Sequence, residues 1–173
     1  MPVMIGGGMV ACGYTALRDK KVGDSLNDSK IDVAIKKRLY KVDPKLFSEV
    51  SVVTNQGCVL FTGVVSNPEW GGVAEKEAWK VEGVIAVDNN ITSGEELTPG
   101  QIVKDGFITS SCRSALICAS GVRSVNYKIK TANGVVYITG VARTEEELNT
   151  TLSKLQNVSG VKKVVSYVNI LKK

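Results

Sequence analysis

Few side chains in this sequence are equipped for covalent chemistry. Among 173 residues there is no histidine. That removes the commonest general base, the Ser–His and Cys–His nucleophile pairs and the commonest metal ligand. The four cysteines are Cys12, Cys58, Cys112 and Cys118, and no two stand as C-x-x-C, so neither a zinc site nor a dithiol redox motif is indicated. Cys112 and Cys118 lie about 240° apart around a helix of 3.6 residues per turn and cannot bridge. The cysteines read as small buried apolar residues, and spacing leaves open which of them an oxidising compartment would join. The Gly6-Gly7-Gly8 run lacks the lysine and helix of a phosphate-binding loop. No repeated acid pair and no nucleophile beside a base stands anywhere. Catalysis, a cofactor, a metal and a small-molecule substrate are therefore not expected.

What remains is the chemistry of surfaces. The net charge is +5, and it is uneven. Residues 31–94 hold 7 Lys/Arg against 8 Asp/Glu, a net of −1; residues 108–171 hold 8 against 3, a net of +5. The three acids of the later stretch are the consecutive Glu145, Glu146 and Glu147, so the rest of it is basic or neutral and suited to an anionic partner. Within Lys104-Asp105-Gly106-Phe107-Ile108-Thr109-Ser110-Ser111-Cys112-Arg113 an aromatic sits near a helix start between two cations. That arrangement suits a wedge in a lipid headgroup layer; the alternative is that Phe107 packs back on its own domain. Lys36, Lys37, Arg38 and Lys41 read as the wet face of an earlier helix, and Lys162, Lys163, Lys172 and Lys173 as a solvated edge that discourages strand pairing. Nucleic acid is not the expected partner, because no G-x-x-G loop lies between two helices.

No apolar run approaches the roughly 20 residues that a membrane-spanning helix needs. The opening Met1 to Cys12 is small and apolar without a positive start. Its end, Met9-Val10-Ala11-Cys12-Gly13, resembles a lipobox, in which the cysteine is lipidated and becomes the new N-terminus. Residues 1–27 are read as a signal remnant and tether, the alternative being an ordinary N-terminus.

The elements that would position these residues come from a duplication. Sliding the chain by 77 residues aligns Ile31–Ile91 with Ile108–Val168 without a gap. Identical pairs include Leu39/Leu116, Thr54/Thr131, Gly57/Gly134, Gly63/Gly140, Val64/Val141, Gly83/Gly160 and Val87/Val164. Each copy predicts a helix with apolar residues four apart (Ile31, Ile35, Leu39; Ile108, Cys112, Leu116). A strand follows, carrying Val50 and Val52, or Val125, Tyr127 and Ile129. Next comes a tight turn at Gln56-Gly57 or Asn133-Gly134, and return strands ended by Gly63 and Gly140. In the second helix Thr144 and Glu147 form a capping box ahead of Leu148, Leu152 and Leu155; in the first copy Asn67 caps and Pro68 occupies the first turn. Last strands cover 84–91 and 161–171. The stretch 93–106, with Gly94, Pro99, Gly100 and Gly106, reads as a linker between domains at 28–92 and 107–173. The expected fold class is α+β: two tandem αββαβ modules, each a three-stranded mixed sheet with two helices on one face.

These spacings resemble the BON family. Its Gly-x-Val-x-Leu-x-Gly hairpin is matched by Gly57-Cys58-Val59-Leu60-Phe61-Thr62-Gly63 and by Gly134-Val135-Val136-Tyr137-Ile138-Thr139-Gly140. Its Val-x-Gly-Val-x-x-Val is matched at Val81–Val87 and at Val158–Val164. Two BON modules behind a lipobox are similar to dual-BON outer-membrane lipoproteins. The resemblance implies binding to anionic phospholipid through the start of the second domain's first helix, here Lys104, Asp105, Phe107, Ile108, Thr109 and Arg113, with Cys12 lipidated. It also implies a role in outer-membrane integrity at the periplasmic face of the outer membrane of a Gram-negative bacterium. Ser110 and Ser111 depart from the family, which usually offers a lysine there. The rival expectation is a protein-interaction module serving an envelope assembly machine.

Overall fold

A computed structural model describes residues 3–5 and 22–171; the lipobox-like stretch ending at Cys12 and the terminal Lys172 and Lys173 lie outside the described residues. The chain divides into two compact units, one of residues 19–97, the other of 98–173 with a strand from the N-terminus.

In the earlier unit, helix α1 (Val22–Val42) is followed by a short helix α2 (Pro44–Glu49). Asp43 starts α2, its carboxylate accepting the Lys45 N–H at 2.7 Å ahead of Pro44. Strands β2 (Val50–Asn55) and β3 (Cys58–Val65) form an antiparallel hairpin, helix α3 spans Trp70–Trp79, and β4 (Ala86–Ser93) returns parallel to β3. In the later unit α4 (Pro99–Ile117) is followed by a 3-10 turn at Ser124–Asn126, then β5 (Tyr127–Ala132), β6 (Val135–Ala142), α5 (Glu145–Gln156) and β7 (Lys163–Ile170). The pairing repeats: β5 and β6 are antiparallel, β6 and β7 parallel. There are thus two αββαβ modules with separate sheets, as the 77-residue repeat requires.

The core positions follow the periodicity. Ile31, Ile35 and Leu39 of α1 pack with Val52, Val59, Phe61, Ala74 and Ala78; Ile108, Cys112 and Leu116 of α4 pack with Ile129, Val136, Ile138, Leu155 and Val164. Residues four apart fall on one helix face, and alternate residues on one sheet face.

Several details differ from the sequence reading. The supposed linker at 93–106 is largely helix, since α4 begins at Pro99. Thr98 accepts the Gln101 N–H while the Gln101 side chain accepts the Thr98 N–H, a complete capping box with proline in the first turn. Gly100 and Gly106, taken as breakers, are exposed in the helix, where a glycine costs only about 1 kcal/mol. Gly63 and Gly140 do not end their strands. They lie inside β3 and β6, opposite Val50 and Tyr127, with φ of 149° and 151°. A Cβ on either would meet the carbonyl oxygen of Glu49 or Asn126 at 2.2 or 2.1 Å, so only glycine fits.

The turns are as expected, with φ positive at Gln56, Gly57, Asn133 and Gly134. Val125 precedes β5 rather than belonging to it and is exposed. The Thr144 hydroxyl accepts the Glu147 N–H at 3.1 Å, but the Glu147 carboxylate does not complete the box, because it turns inward to other donors. Asn67 caps a turn before α3 rather than the helix itself, accepting the Glu69 N–H at 3.0 Å. The later sheet also gains a fourth strand: β1 (Val3–Ile5), from the stretch read as signal remnant, pairs parallel with Val164–Ser166 at the β7 edge.

Candidate functional site

The first turns of α4 hold the residues with the most distinctive surface chemistry. Because Ile108, Cys112 and Leu116 face the core, the positions between them must face outward. Phe107 is 73% exposed, Val103 65% and Ile102 58%. Val103 and Phe107 are four apart and so lie one above the other. Lys104 and Arg113 are both exposed, and neither has an ion-pair partner among the described residues. An apolar ridge ending in an aromatic ring thus lies on a helix that carries two free cations.

Of the six residues singled out from sequence, Phe107 lies on this ridge with Lys104 beside it, Arg113 is exposed on another side of the helix, about 180° around from Lys104, and the other three are engaged within the domain. Asp105 is buried, its two carboxylate oxygens accepting the backbone N–H groups of Asn133 and Gly134 at 2.7 and 2.8 Å. The carboxylate closes the β5–β6 turn, whose donors would otherwise lack partners. The same device recurs 77 residues earlier, where Asp28 accepts the N–H groups of Gln56 and Gly57 at 2.9 and 3.0 Å. Ile108 is a core residue packed beside Gly160. Thr109 is half-buried and donates to the Thr131 hydroxyl at 2.8 Å, tying the helix to β5. Ile102 and Val103 were missed because the stretch read as linker; the Thr98-Pro99-x-Gln101 cap signal identifies them as helical.

Glu147 and Arg143 of this unit are engaged with each other. The buried Glu147 carboxylate accepts the Arg123 N–H at 2.8 Å, the Arg143 N–H at 3.1 Å and the Arg143 guanidinium Nε–H at 2.8 Å. Burial pushes its pKa up, but these donors outweigh that and hold it below the ordinary carboxylate value. Glu147 and Arg143 thereby neutralise each other, which leaves the net positive charge of the unit unchanged. The buried Cys112 thiol has its pKa pushed up by burial to about 11, so at neutral pH it is a protonated core group rather than a nucleophile or metal ligand. No cluster of three or more His, Cys, Asp or Glu side chains is arranged to hold a metal among the described residues.

The repeated Asp-capped hairpin and the intrastrand glycines are shared by both modules, and comparison with known proteins finds the same unit twice. The BON domain model matches residues 27–95 and 104–172. The chain belongs to the BON family. Among its relatives is an uncharacterised protein encoded in the gshII 5′ region of Anaplasma centrale, 35% identical over 84% of this chain and 95% of that one. The outer membrane lipoprotein DolP of Haemophilus influenzae is 29% identical, covering 97% of this chain and 86% of its own length. A 21 kDa hemolysin of Actinobacillus pleuropneumoniae is 30% identical over 87% of this chain and 77% of that protein. In BON terms, the exposed ridge is the start of the first helix of the second BON domain, and the buried aspartates belong to the scaffold of both domains.

Proposed function

We propose that this BON protein is a non-catalytic envelope lipoprotein whose second BON domain docks on anionic phospholipid through the start of α4. We place it at the periplasmic face of the outer membrane of a Gram-negative bacterium, where it supports outer-membrane integrity. The observation that carries the reading is the exposure of Phe107 one turn from the exposed Val103, with the unpaired Lys104 beside them and the unpaired Arg113 further along the same helix. The outer-membrane lipoprotein from Haemophilus supports the location. The contact residues are Lys104, Phe107 and Arg113 with Ile102 and Val103; Asp105, Ile108 and Thr109 hold the helix in place from beneath.

The energetics suit a reversible contact. Two cations near an anionic surface contribute about 1 kcal/mol each, and partial burial of three apolar side chains adds about 3 kcal/mol. A total near 5 kcal/mol corresponds to sub-millimolar affinity, which an acyl anchor would convert into stable residence, as two-signal membrane attachment does. Cys12 would carry that anchor, and as the new N-terminus it would leave a processed form without β1, its later sheet three-stranded. Intact mass of the protein made with its export signal in a Gram-negative host tests this: acylation at Cys12 is expected, and an unacylated Cys12 overturns the anchor.

For the docking face, flotation with phosphatidylglycerol-containing and pure phosphatidylcholine vesicles is the direct test. Salt-sensitive binding to the former alone is expected, weakened at least tenfold by Phe107→Ala with Arg113→Ala. Binding indifferent to lipid charge, or unmoved by the double variant, overturns the reading. Retention of an envelope assembly protein with no vesicle binding would favour the scaffold role.

A further inference from the structure

The solvent face of α1, in the first BON domain, carries a second set of unpaired cations. Lys30, Lys37 and Lys41 are all exposed, and none makes an ion pair or hydrogen bond among the described residues. Four other cations of this region are paired: Lys36 with Asp32 at 2.5 Å, Arg38 with Glu77 at 3.3 Å, Lys80 with Glu77, and Lys45 with Glu96 at 3.2 Å and Glu49 at 3.6 Å. The module's net charge of −1 therefore conceals a local difference: Asp32, Glu49 and Glu77 are paired with other cations, and the three lysines on this face are left free.

Two exposed apolar residues alternate with the free lysines. Val33 is 65% exposed and Tyr40 58%. At 100° and 1.5 Å per residue, Lys30, Val33, Lys37, Tyr40 and Lys41 fall within an arc of about 100° along about 16 Å of helix. The acids of this stretch of α1 point elsewhere. Asp28 is buried under the hairpin, and Asp32 is directed to Lys36 and, at 3.5 Å, to the Thr54 hydroxyl. Beside Tyr40 stands the partly exposed Phe47 of α2, edge to face with ring centroids 5.8 Å apart. A stripe of free cations with an aromatic pair at one end is complementary to a surface that is anionic outside and apolar within.

We infer that α1 of the first BON domain is a second membrane-contact element, which takes anionic lipid headgroups with Lys30, Lys37 and Lys41 and inserts Tyr40 shallowly beside them. It uses residues separate from those of the α4 ridge, so either contact can fail without the other. In the 77-residue register the cations at Lys30, Lys37 and Lys41 stand where the second domain has Phe107, Ser114 and Cys118. The two faces are therefore not copies. The α1 stripe is rich in charge, whereas the α4 ridge is rich in apolar surface, and binding through α1 should be the more salt-sensitive.

The test uses the full chain and vesicles of equal parts phosphatidylglycerol and phosphatidylcholine. Lys30→Gln, Lys37→Gln and Lys41→Gln together are expected to weaken binding at least tenfold at low salt, each lysine near the surface accounting for up to about fivefold. Tyr40→Ala, which leaves the charge unchanged, should weaken it several-fold as well. In a Phe107→Ala, Arg113→Ala background the residual binding should vanish on adding the lysine substitutions. Binding unaltered by the lysine triple, or a Tyr40→Ala protein that binds like wild type, overturns this inference; in the latter case net charge alone explains the lysine effect. If only the Phe107 and Arg113 substitutions matter, the α4 reading stands and this one fails. Wild-type protein that ignores anionic vesicles defeats both.

Discussion

Replacing Asp105 with alanine separates scaffold from surface. Its carboxylate accepts two backbone N–H groups at 2.7 and 2.8 Å. Asn133 is exposed, so water can satisfy its N–H after truncation, and about 1 kcal/mol is lost there. Gly134 is buried, and leaving its N–H without a partner costs about 1–3 kcal/mol. Asp105→Ala should therefore lower the stability of the second domain by about 3 kcal/mol. Asp105→Asn, which keeps one acceptor and turns an amide donor toward the other N–H, should cost somewhat less. Urea denaturation followed by far-UV circular dichroism measures the loss, and amide exchange should locate it, with protection at Gly134 falling first. At urea concentrations where the variant stays folded, its vesicle affinity should match wild type. A protein of unchanged stability with vesicle binding reduced tenfold would refute the reasoning and restore Asp105 to the surface.

Other consequences are equally direct. Gly140→Ala forces a Cβ to within 2.1 Å of the Asn126 carbonyl oxygen, and should cost more than about 3 kcal/mol in a denaturant titration or prevent folding. Because the folded Glu147 carboxyl titrates below the ordinary 4.5, its contribution is complete above that pH and is lost as pH falls through the lower folded value; Glu147→Gln should be less stable at neutral pH yet lose less stability between pH 5 and 3. The exposed Cys118 should react with a maleimide in the native protein, whereas Cys112, buried and shifted to about 11, should react only on unfolding. The Tyr127 hydroxyl, pushed up by burial to about 12, favours the folded state below the ordinary value near 10, and this stabilisation should fade as pH rises through the folded value.

Much of the fold was legible because the repeat doubles every signal. A helix face such as Ile31, Ile35 and Leu39 is ambiguous alone, but the same face at Ile108, Cys112 and Leu116 leaves one reading. Strand pairing was legible through the turn residues, whose positive φ values tie Asn133-Gly134 to a tight hairpin. The errors arose where a local signal competed with a contact distant in sequence. Gly63 and Gly140 look like strand terminators until the carbonyl of Glu49 or Asn126 is brought against them. Gly100 and Gly106 look like linker, although the Thr98–Gln101 box marks a helix start. Asp105 looks like part of a polar surface because its partners, Asn133 and Gly134, are 28 and 29 residues away; only the parallel with Asp28 beneath Gln56-Gly57 could have exposed its role. At the site itself, Phe107 was open between a headgroup wedge and packing on its own domain, and its 73% exposure decides for the surface.

The central claim is that the start of α4 meets the lipid. Paramagnetic relaxation of backbone amides on nanodiscs of mixed phosphatidylglycerol and phosphatidylcholine, doped with a headgroup spin label, reads that contact residue by residue. The account predicts strong broadening at Ile102, Val103, Lys104 and Phe107, with the hairpin amides of Asn133 and Gly134 less affected. Uniformly weak broadening over 102–107 in protein that is bound to the disc would contradict it.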